Sequence, residues 1–279
     1  MSHTQLRTRH RRAFVTGASS GLGRAFCEML LADGVQVWGT SRDALRLAGL
    51  QGRSGFHPVI MDLSVADSAT DAFERAVALE GEAFDLVVLN AGYGVFAPFE
   101  QIDFALWRAQ VGAMLIETAA LAHAALKRMK TLDTPASLVL VSSVGVEFPL
   151  PFMSGYNMSK AALSALAETL MDEARGSRRS VIDFRPGDYQ TMFNRSMDTG
   201  TRVRGERMDA VWARLEANLQ AAPGPGLAAM DLRRALLRGR SGTVRSGSFF
   251  QIRMARLFAA LAPAGLQRRV RAWYFGNLI

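Results

Sequence analysis

Six short apolar runs rich in β-branched residues alternate with segments of helical spacing, and that alternation leaves few folds open to the chain. The runs are Ala13 to Thr16, Val35 to Thr40, Phe56 to Met61, Leu86 to Leu89, Leu138 to Val141 and Val181 to Phe184. Between them, Gly23 to Ala32, Ala69 to Leu79, Phe104 to Met129 and Gly155 to Ala174 carry apolar residues three and four apart. A strand apolar along its whole length is buried on both faces, which requires a parallel sheet between two layers of helices. The expected fold class is α/β, a doubly wound parallel sheet in a single domain with a C-terminal helical extension. Ligands then belong at the carboxyl ends of the strands.

At 279 residues the chain can bury a sizeable core and still form one unit. Residues 1–12 read as a disordered basic N-terminus, 13–248 as the nucleotide-binding and catalytic domain, and 249–279 as an amphipathic helical tail packed on it. Ala221 to Gly226, with two prolines and two glycines, reads as a linker before a helix at about Leu227 to Leu237. The single cysteine, Cys27, lies among Leu22, Phe26, Met29 and Leu30, so it reads as a buried helix residue in a reducing compartment. No apolar targeting segment opens the chain and charges interrupt the later apolar runs, which favours a soluble, cytoplasmic protein. A net charge of +8 and a pI near 10.5 permit anionic partners. The arginines are spread along the chain without an aromatic-basic motif, so no nucleic acid is expected, and a phosphorylated cofactor accounts for the charge as well. His3, His10, His57 and His123 form no ligand-spaced cluster, so no metal is expected.

Gly17, Ser19, Ser20, Gly21, Leu22 and Gly23 follow the first strand and open the first helix. Glycines there let the backbone turn tightly and approach a pyrophosphate, whose charge the helix N-terminal amides favour. After the second strand come Ser41 and Arg42. A carboxylate there would repel a 2′-phosphate, whereas a hydroxyl followed by arginine accommodates it, so NADP(H) is the expected cofactor unless Arg42 is only a solvated loop residue. Asp62 and Leu63 fall near the adenine, and Asn90, Ala91 and Gly92 below the nicotinamide side. Asn90 equally suits a turn-stabilising role.

Tyr156 and Lys160 are four apart on a helical segment and share a face. Two unit charges ~4 Å apart at an effective dielectric of ~20 interact by about 4 kcal/mol, enough to bring a phenol from ~10 toward neutrality. Tyr156 would then serve as general acid or base. Ser143, thirteen residues earlier at the end of a strand, has a hydroxyl suited to hold the reacting oxygen. Pro186, Gly187 and Thr191 suit a rigid turn that could hold a carboxamide.

In order and context these motifs resemble the short-chain dehydrogenase/reductase family over roughly residues 13 to 195: Thr-Gly-x3-Gly-x-Gly, Asn-Ala-Gly, Ser, Tyr-x3-Lys and Pro-Gly-x3-Thr. The resemblance implies a Rossmann-type fold, with Ser143 polarising the substrate and Tyr156 as acid/base. It assigns Lys160 to the nicotinamide ribose and to lowering the tyrosine pKa. It also implies a substrate pocket capped by the segment after Thr191, and pairing into a homodimer or homotetramer. The family commonly places an asparagine in the long helix before the fifth strand, where this chain has Gly112. That suggests a weakened or rerouted proton relay and keeps open a non-catalytic NADP(H)-binding, redox-sensing protein.

Around the reacting atoms fall Tyr93, Val95, Phe96, Val144, Phe148, Phe152, Met153, Tyr189, Met192 and Phe193, either pocket or core. Such a lining suits a small lipophilic carbonyl or alcohol substrate. The tail alternates Phe249, Phe250, Ile252, Met254, Leu257, Phe258 and Leu261 with Arg253 and Arg256, then resumes after Pro263. Two amphipathic helices are expected, covering the pocket or a second subunit, or making peripheral membrane contact.

Overall fold

In a computed structural model the protein is described at residues 5–193, 197, 205–248, 252 and 261–275. Seven parallel strands form one sheet in the order β3-β2-β1-β4-β5-β6-β7. They are β1 (Arg12–Val15), β2 (Gln36–Ser41), β3 (Phe56–Ile60), β4 (Leu86–Leu89), β5 (Ala136–Val141), β6 (Arg179–Pro186) and β7 (Gly242–Ser246). The order reverses between β1 and β4, and a crevice opens there at the carboxyl ends of the strands. Six strands fall on the expected runs, whereas β7 adds a strand that the apolar pattern does not signal.

One face of the sheet packs on α1 (Gly21–Ala32) and α7 (Gly226–Arg238), joining Phe26 and Leu30 to Val15, Ile182, Leu232 and Leu236. The other packs on α2 (Ser68–Glu80), α4 (Glu117–Met129) and α5 (Ser154–Glu173), joining Phe73, Leu121 and Leu163 to Phe14, Val87 and Leu138. A third cluster is built on α6 (Glu206–Ala221): Met208, Val211 and Leu215 meet Phe96, Met153 and Phe275. Cys27 lies wholly in the first core, and burial pushes its thiol pKa far up.

The expected helix from Phe104 to Met129 is continuous in path but not in pitch. α3 (Phe104–Val111) passes into one π-helical stretch, Gly112–Ile116, before α4. By length and mean hydropathy (1.3) it is apolar enough to cross a membrane. Here its apolar residues Leu121, Ala122, Ala125 and Met129 are built into the core under the sheet.

The N-terminus corrects the expectation of disorder through residue 12. Leu6–Thr8 form a turn of 3-10 helix, and Leu6 and His10 are fully buried. Leu6 fills the first core, Asp33 accepts its backbone N–H, and Asp85 accepts those of Arg11 and Arg12. Arg9 reaches the carbonyl of Leu237 at 2.9 Å. One apolar residue and paired backbone amides thus outweigh the polar composition. Of the tail, Phe249, Phe250, Met254, Leu257 and Phe258 lie outside the described residues. α8 (Ala264–Tyr274), which starts after Pro263, packs onto the third cluster through Tyr274 and Phe275.

Candidate active site

A single cleft of about 1110 Å³ runs along the carboxyl ends of the strands. At its nucleotide end the turn after β1 has positive φ at Gly17 (72°) and Gly21 (54°), where a side chain would strain the backbone. Thr16 ties this turn to β4: its Oγ1 accepts the backbone N–H groups of Asn90 and Ala91, both at 2.9 Å, and its carbonyl accepts Asn90 Nδ2 at 3.0 Å. Asn90 lines the cleft, but its amide donor is spent on the turn, so the turn-stabilising reading holds for that group.

Gly17, Ser19, Ser20, Gly21 and Leu22 all line the cleft, as do Ser41, Arg42, Asp62, Leu63, Ala91 and Gly92. Gly23 does not. A Cβ on it would come within 2.1 Å of the Gly17 carbonyl oxygen, so its place is the packing of α1 against the turn. Arg46, which the sequence reading missed, joins Arg42 at the same end. The nearby Asp43 carboxylate accepts the Leu45 N–H at 2.9 Å, capping the turn of 3-10 helix (Ala44–Leu47) that carries Arg46. These glycines leave the backbone open to a dinucleotide, and the residues present fit one.

At the other end Ser143, Tyr156 and Lys160 come together. Ser143 lies just after β5, with its Oγ accepting the Gly145 N–H at 2.9 Å and hydrogen-bonded to Tyr156. Tyr156 and Lys160 project from α5, with Lys160 Nζ 5.8 Å from the centre of the Tyr156 ring. Lys160 is buried and donates to the Val141 carbonyl at 2.6 Å. Burial lowers its pKa to about 8, and the Asp183 carboxylate counteracts this.

This geometry corrects the expected depression of the tyrosine. Burial pushes the Tyr156 pKa up, the Ser143 hydrogen bond pulls it down by less, and Asp188 adds to the rise. A phenol held protonated is a proton donor at neutral pH.

Beneath the triad lies an ionic network that the sequence reading also missed. Asp183, wholly buried on β6, accepts from Ser142 Oγ, from Ser164 Oγ at 2.7 Å and from Arg185 Nε at 2.7 Å. Arg185 Nη1 and Arg245 Nε reach Glu147 at 2.7 and 2.9 Å. The network clamps the segment after Ser143, through Glu147, to β6 and β7. Its signal was present, since Asp183 and Arg185 are two charges set among Val181, Ile182, Phe184 and Pro186, and buried charges are kept only when paired.

The end of the cleft that holds Tyr156 is walled by Tyr93, Val144, Phe148, Met153, Tyr189, Met192 and Phe193, which places these residues in the pocket lining. Val95, Phe96 and Phe152 are not in the wall. Phe96 is core, packed edge-on against Trp212 and Phe152. Unforeseen lining comes from Met197, Leu215 and Leu219, and from Val270, Trp273, Tyr274 and Phe275 at α8. Pro186, Gly187 and Thr191 line the cleft, and the adjoining Tyr189 hydroxyl is held by Ser246, which in turn reaches Asp231 at 2.6 Å.

A switch-point crevice with a glycine-opened turn at one end and a Ser, Tyr and Lys group at the other defines a dinucleotide-dependent oxidoreductase class. The chain belongs to the short chain dehydrogenase family, whose model matches residues 11–201. It is 33% identical over 217 residues to estradiol 17-beta-dehydrogenase 1 of Rattus norvegicus, covering 74% of this chain and 62% of that one. The chain thus spans under two thirds of that relative's length. Among solved structures, a short-chain dehydrogenase from Streptomyces avermitilis superposes with a TM-score of 0.76 at 26% identity, covering 98% and 96% of the two chains. A Burkholderia phymatum short chain dehydrogenase/reductase solved with NAD shares the fold at a TM-score of 0.78 and 22% identity, covering 94% and 95%.

Proposed function

We propose that the protein is an NADP(H)-dependent oxidoreductase that reduces a lipophilic ketone or aldehyde. The observation that carries the reading is the convergence of Ser143, Tyr156 and Lys160 on one wall of an apolar cleft. A bound nicotinamide supplies the hydride. The chain's own residues supply the rest: Ser143 Oγ holds the carbonyl oxygen, and the protonated Tyr156 hydroxyl gives it a proton. Lys160 keeps a positive charge beside that hydroxyl, and the Asp183 carboxylate behind it favours the charged form. The raised pKa of Tyr156 keeps the hydroxyl protonated at neutral pH, the form that donation to a carbonyl requires.

NADP(H) is supported by Arg42 and Arg46, which both line the nucleotide end, and by Asp43, whose carboxylate is turned into its own cap. A lipophilic substrate is supported by the aromatic and methionine wall. The test follows NADPH absorbance with a panel of hydrophobic ketones. Tyr156→Phe should lower turnover by at least roughly 100-fold, the lower bound for general acid catalysis, while NADPH binding stays within a few-fold. Turnover surviving within about threefold would assign the proton to another group. Tight NADPH binding without turnover of any ketone would instead leave a dinucleotide-binding sensor.

A further inference from the structure

The charge of this chain is polarised along its length. Of its 33 Lys and Arg and 25 Asp and Glu, residues 232–279 contain ten arginines and no acid, which leaves 23 cations against 25 acids in residues 1–231. The entire surplus of +8 therefore comes from the stretch that includes β7 and α8. Three of these arginines are engaged by carboxylates: Arg233 by Asp33, Arg234 by Asp231 and Arg245 by Glu147. Arg268 and Arg269 on α8 are exposed and make no ion pair among the described residues.

α8 is also two-sided. Val270, Tyr274 and Phe275 face inward and close the substrate end of the cleft. Leu266, Arg269 and Trp273, three and four apart, form an outward strip in which Leu266 is 48% and Trp273 60% exposed. Leu261, just before the helix, is 74% exposed. Trp273 belongs to both sides, lining the cleft while it faces solvent, so this surface borders the mouth of the apolar site.

Aromatic and aliphatic side chains interleaved with guanidiniums match one environment closely. At an anionic bilayer surface the apolar groups enter the boundary between headgroups and acyl chains, while arginines meet phosphates. A second copy of the chain would bring the same uncompensated arginines against each other, and a nucleic acid would satisfy the arginines but leave the leucines in water. We propose that α8 docks the protein on an anionic lipid surface and that the substrate cleft opens onto that surface. The second clause rests on the lipophilic-substrate reading; the docking does not.

The test uses the whole protein, pelleted with vesicles of phosphatidylcholine alone or mixed with phosphatidylglycerol. Wild type should bind the anionic vesicles, bind the zwitterionic ones far more weakly, and release as salt rises. Arg268→Glu with Arg269→Glu should weaken binding by roughly 20-fold or more, since each cation near such a surface is worth about fivefold. Leu261→Ser with Leu266→Ser should also weaken it. All four substitutions lie outside the cleft lining, so reduction of a water-soluble ketone should be unchanged. Equal binding to both vesicle types, no binding to either, or indifference to the charge reversals would overturn the proposal. So would displacement from the vesicles by a DNA or RNA oligomer bound through the same arginines, or a dimer that the charge reversals dissolve. Vesicle binding without reduction of any ketone would sink the catalytic reading and leave the docking standing.

Discussion

Arg42 tests the cofactor most directly, because its guanidinium lines the nucleotide end while the neighbouring carboxylate of Asp43 is committed to the Leu45 amide. Arg42→Ala should weaken NADP(H) by about 1 to 3 kcal/mol and leave NAD(H) nearly untouched, as titration of the two cofactors would show. Equal losses would remove the assignment. Gly112 poses a different question. The π-helical stretch begins there, and a Cβ added at Gly112 would meet nothing within 4 Å. Gly112→Asn should therefore fit, and replacing a helical glycine by asparagine should raise stability by about 0.3 kcal/mol. A fall in melting temperature would mean that the bend requires glycine.

At the scale of elements, α5 carries both Tyr156 and Lys160, and its first turns are held by the loop after β5. The Lys160 pKa near 8 makes a prediction whose sign is fixed. The ammonium is present below about 8 and lost above it, so kcat/KM for the reduced cofactor, which reports the free enzyme, should fall as pH rises through that value. A profile flat to a pH well above 8 would show that the charge is not needed. The elements also show what could be read beforehand. Six strands were legible as short apolar runs, and α1, α2, α5, α7 and the path from Phe104 to Met129 by apolar residues three and four apart. β7 was not, since Gly242–Ser246 holds one large apolar residue, Val244, and its pairing with β6 is a tertiary fact. The three motif side chains were legible by spacing. The Glu147, Arg185 and Arg245 clamp joins residues far apart in the chain, which no local pattern records. α6 did carry a signal, in the three-and-four spacing of Met208, Val211 and Leu215.

For the whole molecule, acid stability is set at the end of the sheet away from the site. His10 is buried, and burial with the neighbouring Arg9 charge lowers its pKa to about 4; burial raises that of Asp85 to about 6. As pH falls below ~6.5 the unfolded chain takes a proton that native His10 refuses until about 4, so that residue costs stability. Asp85 acts oppositely, being protonated in the native state at about 6 and in the unfolded state only near 3.8, so it adds stability over much of the same interval. His10→Gln should leave the Asp85 effect uncovered. Between pH 7 and 4.5 its urea-derived stability should change more favourably than that of wild type. Parallel pH curves for the two proteins would refute this. The cleft has a further property, set by the order in which its walls are made. The glycine turn, Ser143, Tyr156 and Lys160 are all synthesised by residue 160, whereas Arg245 and the aromatic wall ending at Phe275 come last. At ~5 to 20 residues per second, a nascent chain passes roughly 6 to 23 seconds with its nucleotide half made and the apolar faces of Phe148 and Met153 uncovered. The wall that covers them is completed only when Phe275 is made.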